Sequence, residues 1–246
     1  SSNLSATFIS AKIKDPTGYG RVFVDKDAPL IVNKIIEHKD CDSQEKKNNL
    51  VNAGIYCFNW NELSSVLDEI KSNNSQGELY LTDTIELLRK TGHLQVEDVN
   101  EIQGINDKLD LSKCEQILQR KIKHKWMSRG VTFLDPQSCS ISEESIISDD
   151  VIIEAQTHLK GKTIIGKKCT IGPGTVISNS KIGDNVNIVM SVITKSEIGS
   201  NVKVGPFAHI RPYTVIKEDC KIGNFVEIKK SVIEKNTKVN HLSYIG

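Results

Sequence analysis

Aliphatic residues recur at every sixth position along the second half of the chain, and this spacing constrains the fold more than any other feature. They fall at Ile153, Leu159, Ile165, Ile171 and Ile177 and, after a five-residue step, at Ile182 and Ile188. The series continues through Ile193, Ile198, Val204, Ile210, Ile216, Ile222, Ile228, Ile233 and Val239 to Ile245. Four positions after most of these stands a second small or β-branched residue, such as Thr157, Thr163, Cys169, Thr175, Val186 or Val202. One position after many stands glycine: Gly166, Gly172, Gly183, Gly199, Gly205, Gly223 and Gly246. If each six-residue unit is one flat face and three faces close a coil, every sixth residue points inward and must be aliphatic. Coils of this kind stack at the ~4.8 Å spacing of parallel strands, and no single unit is stable alone. The glycine is expected at the corner, where tolerance of positive φ is useful. Asn240 stands at an equivalent place, and asparagine is the next most tolerant type. The spacing therefore predicts an all-β solenoid of hexapeptide repeats, with its domain taken as residues 130–246.

The first half reads differently. Residues 6–107 alternate β-rich runs such as Val51-Asn52-Ala53-Gly54-Ile55-Tyr56-Cys57-Phe58 with amphipathic stretches such as Glu62–Ile70, the mark of an α/β unit taken as 1–108. Between the two, residues 109–129 carry Leu111, Cys114, Ile117, Leu118, Ile122 and Trp126 at helical intervals among many charges, which predicts a linking amphipathic helix. Lys and Arg number 32 against 31 Asp and Glu, so the formal charge of +1 offers no global attraction to nucleic acid or an anionic membrane. The six cysteines show no C-x-x-C spacing and no secretory prefix precedes them, which points to a reducing cytoplasm without a zinc cluster. The chain opens at Ser1 without methionine, on a strand-like run, and stops in mid-repeat at Gly246, so it reads as a fragment.

The repeat also places chemistry. From Ile210 to Ile228 the spacing is three uninterrupted sixes, so Arg211 and Lys229 should stack one coil apart. Two cations ~5 Å apart repel by roughly a kcal/mol at high effective dielectric, and an anion held between them relieves this. Phosphate suits both the guanidinium fork and the ammonium, although two solvated side chains on an exposed corner satisfy position equally well. Counting on, Tyr244 falls just before the same corner and His241 on the face leading to it. A neutral imidazole beside an anion site is a plausible general base, whereas a histidine on a solenoid face is more often a surface residue.

Many motifs in order carry a resemblance that covers nearly the whole chain. They include Asp15-Pro16-Thr17-Gly18-Tyr19-Gly20-Arg21, Ile36-Glu37-His38-Lys39-Asp40, Asn52-Ala53-Gly54, Gly77-Glu78-Leu79-Tyr80-Leu81-Thr82-Asp83 and Gly104-Ile105-Asn106. In the repeats stand Gly205–Pro212, Gly223–Lys230 and His241-Leu242-Ser243-Tyr244. The chain resembles the family of bifunctional N-acetylglucosamine-1-phosphate uridyltransferases and glucosamine-1-phosphate acetyltransferases. The resemblance implies a partial Rossmann-like nucleotidyltransferase domain followed by a left-handed parallel β-helix. It implies that His241 is the acetyltransferase base and that Arg211, Lys229 and Tyr244 hold the sugar phosphate. It further implies that Gly20, Glu37, Asn52 and Asn106 bind the sugar nucleotide, with Asn106 also a ligand of Mg2+. Acetyl-CoA and UTP would be co-substrates, glucosamine-1-phosphate and N-acetylglucosamine-1-phosphate the acceptors, and the full-length protein a cytoplasmic homotrimer that binds neither nucleic acid nor membrane. Residue by residue, each position also has a plain alternative: Gly20 as a turn, Glu37 as a surface charge, Asn52 and Asn106 as turn or cap residues. Asn240 replaces a frequent glycine of the family and Ser243 a frequent threonine. The family's nucleotide loop falls before Ser1 and its later coils after Gly246, so the fragment itself is expected to be inactive in both reactions.

Three rivals remain open from sequence. One is a single-activity sugar-phosphate nucleotidyltransferase whose solenoid only oligomerises. Another is a structural scaffold, which leaves Arg211 on Lys229 unexplained. The last is a metal-dependent hexapeptide enzyme, for which His158, His209 and His241 are too scattered along the coil.

Overall fold

A computed structural model describes residues 4–105 and 107–246, so Asn106 lies outside the described residues. The chain divides into two compact units, Ser1–Cys114 and Glu115–Gly246. In the first unit, β1 (Ala6–Lys12), β2 (Arg21–Val24), β3 (Ile31–Ile36), β4 (Leu50–Phe58) and β5 (Thr91–Gln95) close into a barrel in the order β1-β4-β2-β3-β5. The β1–β5 pair is parallel, and the other paired strands run antiparallel. Alternation along β1 buries Ala6, Phe8 and Ser10, and Phe8 meets Tyr56 of β4 at 5.5 Å between ring centroids. Around Phe8 gather Val22, Val32, Ile35, Leu50 and Ile85 as the unit's main core. The amphipathic stretch after β4 forms α1 (Trp60–Val66), which Asn59 caps by accepting from the Asn61 N–H at 3.1 Å. The stretch after Gly77-Glu78 gives a 3-10 turn and then α2 (Thr84–Leu87), which buries Thr84 and Ile85.

The second unit is a solenoid of three parallel sheets with seven, six and seven strands. Each inward aliphatic residue pairs with its counterpart one coil away. One sheet stacks Ile141, Leu159, Ile177, Ile193, Ile210, Ile228 and Ile245 in register. A second runs from Ile147 through Ile165, Ile182, Ile198 and Ile216 to Ile233, and the third from Phe133 through Ile153 and Ile188 to Val239. The small residues four places on are interior too: Thr157, Thr163, Cys169, Thr175 and Thr214 are fully buried. Their side chains still find partners, as Thr163 Oγ1 donates to the Lys160 carbonyl at 2.8 Å and Cys169 Sγ to that of Gly183 at 3.0 Å. The coils begin before Ile153, since Ile141 and Ile147 keep the step of six and only Phe133, eight residues before Ile141 across the loop around Asp135-Pro136, falls out of it.

A helix, α3 (Lys108–Met127), spans the boundary between the units. Its last turns belong to the solenoid, where Ile122 and Trp126 join the aliphatic core. Gln119 continues the ladder, since its side-chain oxygen accepts from the Ile141 N–H at 2.9 Å and its amide donates to the Ile141 carbonyl at 3.0 Å. Buried Lys123 donates to the carbonyls of Pro136 and Cys139, at 2.5 Å and 2.9 Å. The last turns of this helix cap the first coil. Leu111 and Leu118 on the same helix are exposed.

One expectation needs correction. At Gly172 and Gly205 the left-handed backbone does sit one place after the inward aliphatic residue, with φ of 125° and 102°, but at the other corners it does not. It sits three places after, or two in the five-residue units, at Gln156, Asn185, Asn201, Phe207, Tyr213, Asp219, Phe225 and Leu242 among others. Asn240 is not one of these. Gly166, Gly183, Gly199 and Gly223 have no positive φ, and their reason is space. A Cβ on Gly183 would lie 2.7 Å from the Ser200 nitrogen, one on Gly199 2.8 Å from that of Glu218, and one on Gly223 would overlap the Asn240 carbonyl oxygen. Gly223→Ala should therefore lower the unfolding free energy by about 1–3 kcal/mol in urea titration. Gly104→Ala, with no atom near its Cβ and no positive φ, should stay within about 0.5 kcal/mol. Equal effects of the two changes would remove the close-approach explanation.

Candidate functional site

Register brings Arg211, Lys229 and Tyr244 onto one sheet. Ile210 pairs with Ile228 and Ile228 with Ile245, so the residues that follow, Arg211, Lys229 and Gly246, form one column. The Arg211 N–H donates to the Ile228 carbonyl and the Lys229 N–H to the Ile245 carbonyl, both at 2.8 Å. One place earlier on the outer face runs a second column, His209, Glu227 and Tyr244. The exposed Tyr244 ring leans toward the first column, with its hydroxyl against Gly246.

The stacking of Arg211 over Lys229 is as the repeat predicts, but its electrostatics differ. Glu227 Oε1 accepts from Arg211 Nη1 at 2.7 Å, and the two side chains are 40% and 37% exposed. A carboxylate of the chain thus already answers the guanidinium, so stacked cations alone do not require a bound anion. Among the described residues no carboxylate lies within ion-pairing distance of the Lys229 ammonium. Sequence reasoning passed over Glu227, although it was legible one place before Ile228, facing the coil that carries Arg211.

His241 lies on the adjoining sheet. It pairs with Asn224 at the end of strand Lys238–His241, and the left-handed corner at Leu242 separates it from Tyr244. Its ring is exposed, and the Ser243 hydroxyl donates to its carbonyl at 2.9 Å. The other two histidines of the metal reading stand elsewhere. His158 and His209 share the outer face of the sheet that holds Tyr244, with Val176 and Val192 between them, and His158 Nδ1 is hydrogen-bonded to Ser140 Oγ at 2.7 Å. No three His, Cys, Asp or Glu side chains converge as a metal site among the described residues.

In the first unit, three of the four residues that the resemblance assigns to a sugar nucleotide meet. The Asn52 N–H donates to the Gly20 carbonyl at 2.9 Å, and a Cβ on buried Gly20 would lie 3.3 Å from both carboxylate oxygens of Glu37. Gly20 is therefore where a backbone can approach Glu37 closely. Glu37 Oε1 accepts from the Thr82 hydroxyl at 3.1 Å, which adds a residue from the Leu79-Tyr80-Leu81-Thr82-Asp83 run that had no assigned role. Asn52 Oδ1 accepts from the Gly54 N–H at 3.0 Å, so its carboxamide also fixes the turn at Gly54, where φ is positive. Beside it, burial pushes the Tyr56 hydroxyl well above its ordinary range, and among the described residues that hydroxyl has no hydrogen-bond partner.

Fold and sites define a nucleotidyltransferase-type unit followed by hexapeptide transferase repeats. A nucleotidyl transferase family model matches residues 1–127, and the bacterial transferase hexapeptide model of six repeats matches residues 144–179 and 195–230. Bifunctional protein GlmU of Prochlorococcus marinus (strain NATL2A) is 56% identical over 245 residues, which cover 100% of this chain and 54% of that protein. The same-named protein of Synechococcus sp. (strain CC9605) is 51% identical over 245 residues, again 100% and 54%. The acetyltransferase domain of PglB from Neisseria gonorrhoeae FA1090, solved with acetyl coenzyme A, aligns at a TM-score of 0.43 and 14% identity over 51% of this chain and 63% of that one. The chain belongs to the nucleotidyl transferase family. It spans about half the length of the curated relatives it matches.

Because both side chains of the Arg211–Glu227 pair are more than a third exposed, Glu227→Gln should change stability by less than about 1 kcal/mol in urea denaturation. A loss above about 3 kcal/mol would mark the pair as a buried structural bridge instead.

Proposed function

We propose that the whole protein catalyses two successive steps. Acetyl passes from acetyl-CoA to glucosamine-1-phosphate, and uridyl then passes from UTP to N-acetylglucosamine-1-phosphate. The observation that carries the first step is the shared register of Arg211, Lys229 and Tyr244, with His241 on the next sheet, in a chain 56% identical to a bifunctional GlmU. Arg211 and Lys229 hold the sugar phosphate as fork and point charge, and the Tyr244 hydroxyl adds a donor. On phosphate arrival Glu227 is exchanged for the ligand as the partner of Arg211. His241 takes a proton from the 2-amino group as its nitrogen attacks the thioester carbonyl. The C–N bond forms, the C–S bond breaks, and the proton passes to the departing thiolate. The amine is the nucleophile, so no covalent enzyme intermediate is needed.

For the second step, Gly20, Glu37 and Asn52 bind the sugar nucleotide, with Asn106 joining them. The contact of Gly20 with Glu37 supports this, since a carboxylate beside an open backbone can accept sugar hydroxyls. Mg2+ is proposed as cofactor with Asn106 as one ligand. That residue lies outside the described ones, and among the rest no cluster of acidic or histidine side chains meets the ion's need for several oxygen ligands. We place the protein in the cytoplasm as a homotrimer. No helix among the described residues is long and apolar enough to cross a membrane.

The Arg211–Glu227 pair favours one rival, a single-activity nucleotidyltransferase whose solenoid charges satisfy each other. His241→Ala in the full-length protein separates the two. The bifunctional reading expects acetyl transfer to fall by about 10²–10⁴-fold with uridyl transfer unchanged. The rival expects neither activity to move.

A further inference from the structure

The corner between the sheet of Arg211 and the sheet of Ile216 carries charge that neither proposed reaction uses. A groove of about 590 Å³ opens there, lined by Lys162, Asn179, Lys181, Lys195, Glu197 and Tyr213 among others. Four successive coils contribute. Lys181 pairs in register with Ile164 on one side and Glu197 on the other, and the Tyr213 N–H donates to the Lys195 carbonyl at 2.8 Å. Three lysines thus line one concavity whose lining includes a single carboxylate residue. Among the described residues none of Lys162, Lys181 and Lys195 makes an ion pair. The whole chain carries a formal charge of only +1, so the excess is local.

Like the other corners of the solenoid, this one has left-handed backbone. The corner column runs Gly161, Asn179, Lys195, Tyr213, and all four adopt positive φ. Glycine and asparagine take that conformation cheaply, whereas lysine and tyrosine do not. At two neighbouring coils the column places a cation and a ring, the latter 69% exposed.

We propose that this groove binds a nucleoside diphosphate. The ammonium groups of Lys162, Lys181 and Lys195 take the two phosphates, the base stacks on the Tyr213 ring, and Glu197 accepts from a ribose hydroxyl. A volume of this size is within the range of small-molecule sites, and ring stacking beside cations is how chains commonly hold nucleotides without reading the base. The site is distinct from the Arg211–Lys229 column and does not depend on that reading.

Isothermal titration of the chain with ADP, and separately with pyrophosphate, tests this. One ADP site per chain is expected. The double change Lys181→Ala and Lys195→Ala should weaken both ligands by about tenfold or more, as lost phosphate contacts do. Tyr213→Asn keeps a residue suited to the left-handed backbone. It should weaken ADP by about fivefold or more, the low end of a base–aromatic stack, while pyrophosphate stays unchanged. Arg211→Ala with Lys229→Ala should leave ADP binding unchanged. Absent binding, several weak sites, ADP affinity indifferent to the lysine changes, or ADP affinity lost with Arg211 and Lys229 would each overturn the proposal.

Discussion

Every coil of the second unit hangs on the next through backbone N–H groups that donate one coil ahead: Ile152 to Cys169, Thr170 to Val186, Lys203 to Cys220, Lys221 to Thr237. That ladder holds only where the two backbones can approach. At Gly183, Gly199 and Gly223 the following coil already fills the space a Cβ would need. The inward aliphatic columns supply the burial that makes the approach worthwhile, and interior threonines and cysteines satisfy their own polar atoms against backbone carbonyls. Register is the outcome, and the functional proposals for the solenoid inherit their geometry from it.

Much of this was legible in the chain itself, because a fixed period converts residue number into position. The columns of Ile210 and Ile228, and of Arg211 and Lys229, follow from counting alone. What counting could not supply was the meaning of each position within the repeat. Glycine one place after the aliphatic residue looked like the left-handed position, which holds at Gly172 and Gly205, whereas most left-handed corners fall later and accept Phe207, Phe225 and Tyr213. The error has a physical source, since glycine is selected both by positive φ and by close approach, and sequence does not say which. Nor does a period reveal where long side chains reach. The Arg211–Glu227 pair and the Gln119 cap on Ile141 depend on side-chain length and direction, not on spacing.

The first unit offers the contrast. There Gly20, Glu37, Asn52 and Thr82 come from four segments with no common period, and only the closure of the barrel brings β2, β3 and β4 together with the turn at Leu81–Asp83. Nothing in the isolated residues marks them, so their assignment rests on resemblance to a family. The solenoid pair could be proposed from arithmetic and then related to that family. Two kinds of site in one chain thus call for two kinds of inference.

The five-residue units have a bearing on how such a chain can vary. At Asn179, Met190, Lys195 and Lys230 the left-handed residue comes two places after the aliphatic one instead of three, yet the strands on either side remain paired in register. A missing residue is absorbed entirely at the corner and leaves the faces in phase. Single-residue deletions at corners should therefore be close to silent, while the same deletion within a face would turn its interior residue outward. The solenoid can gain or lose length at its edges without losing the alignment of the side chains stacked along its faces.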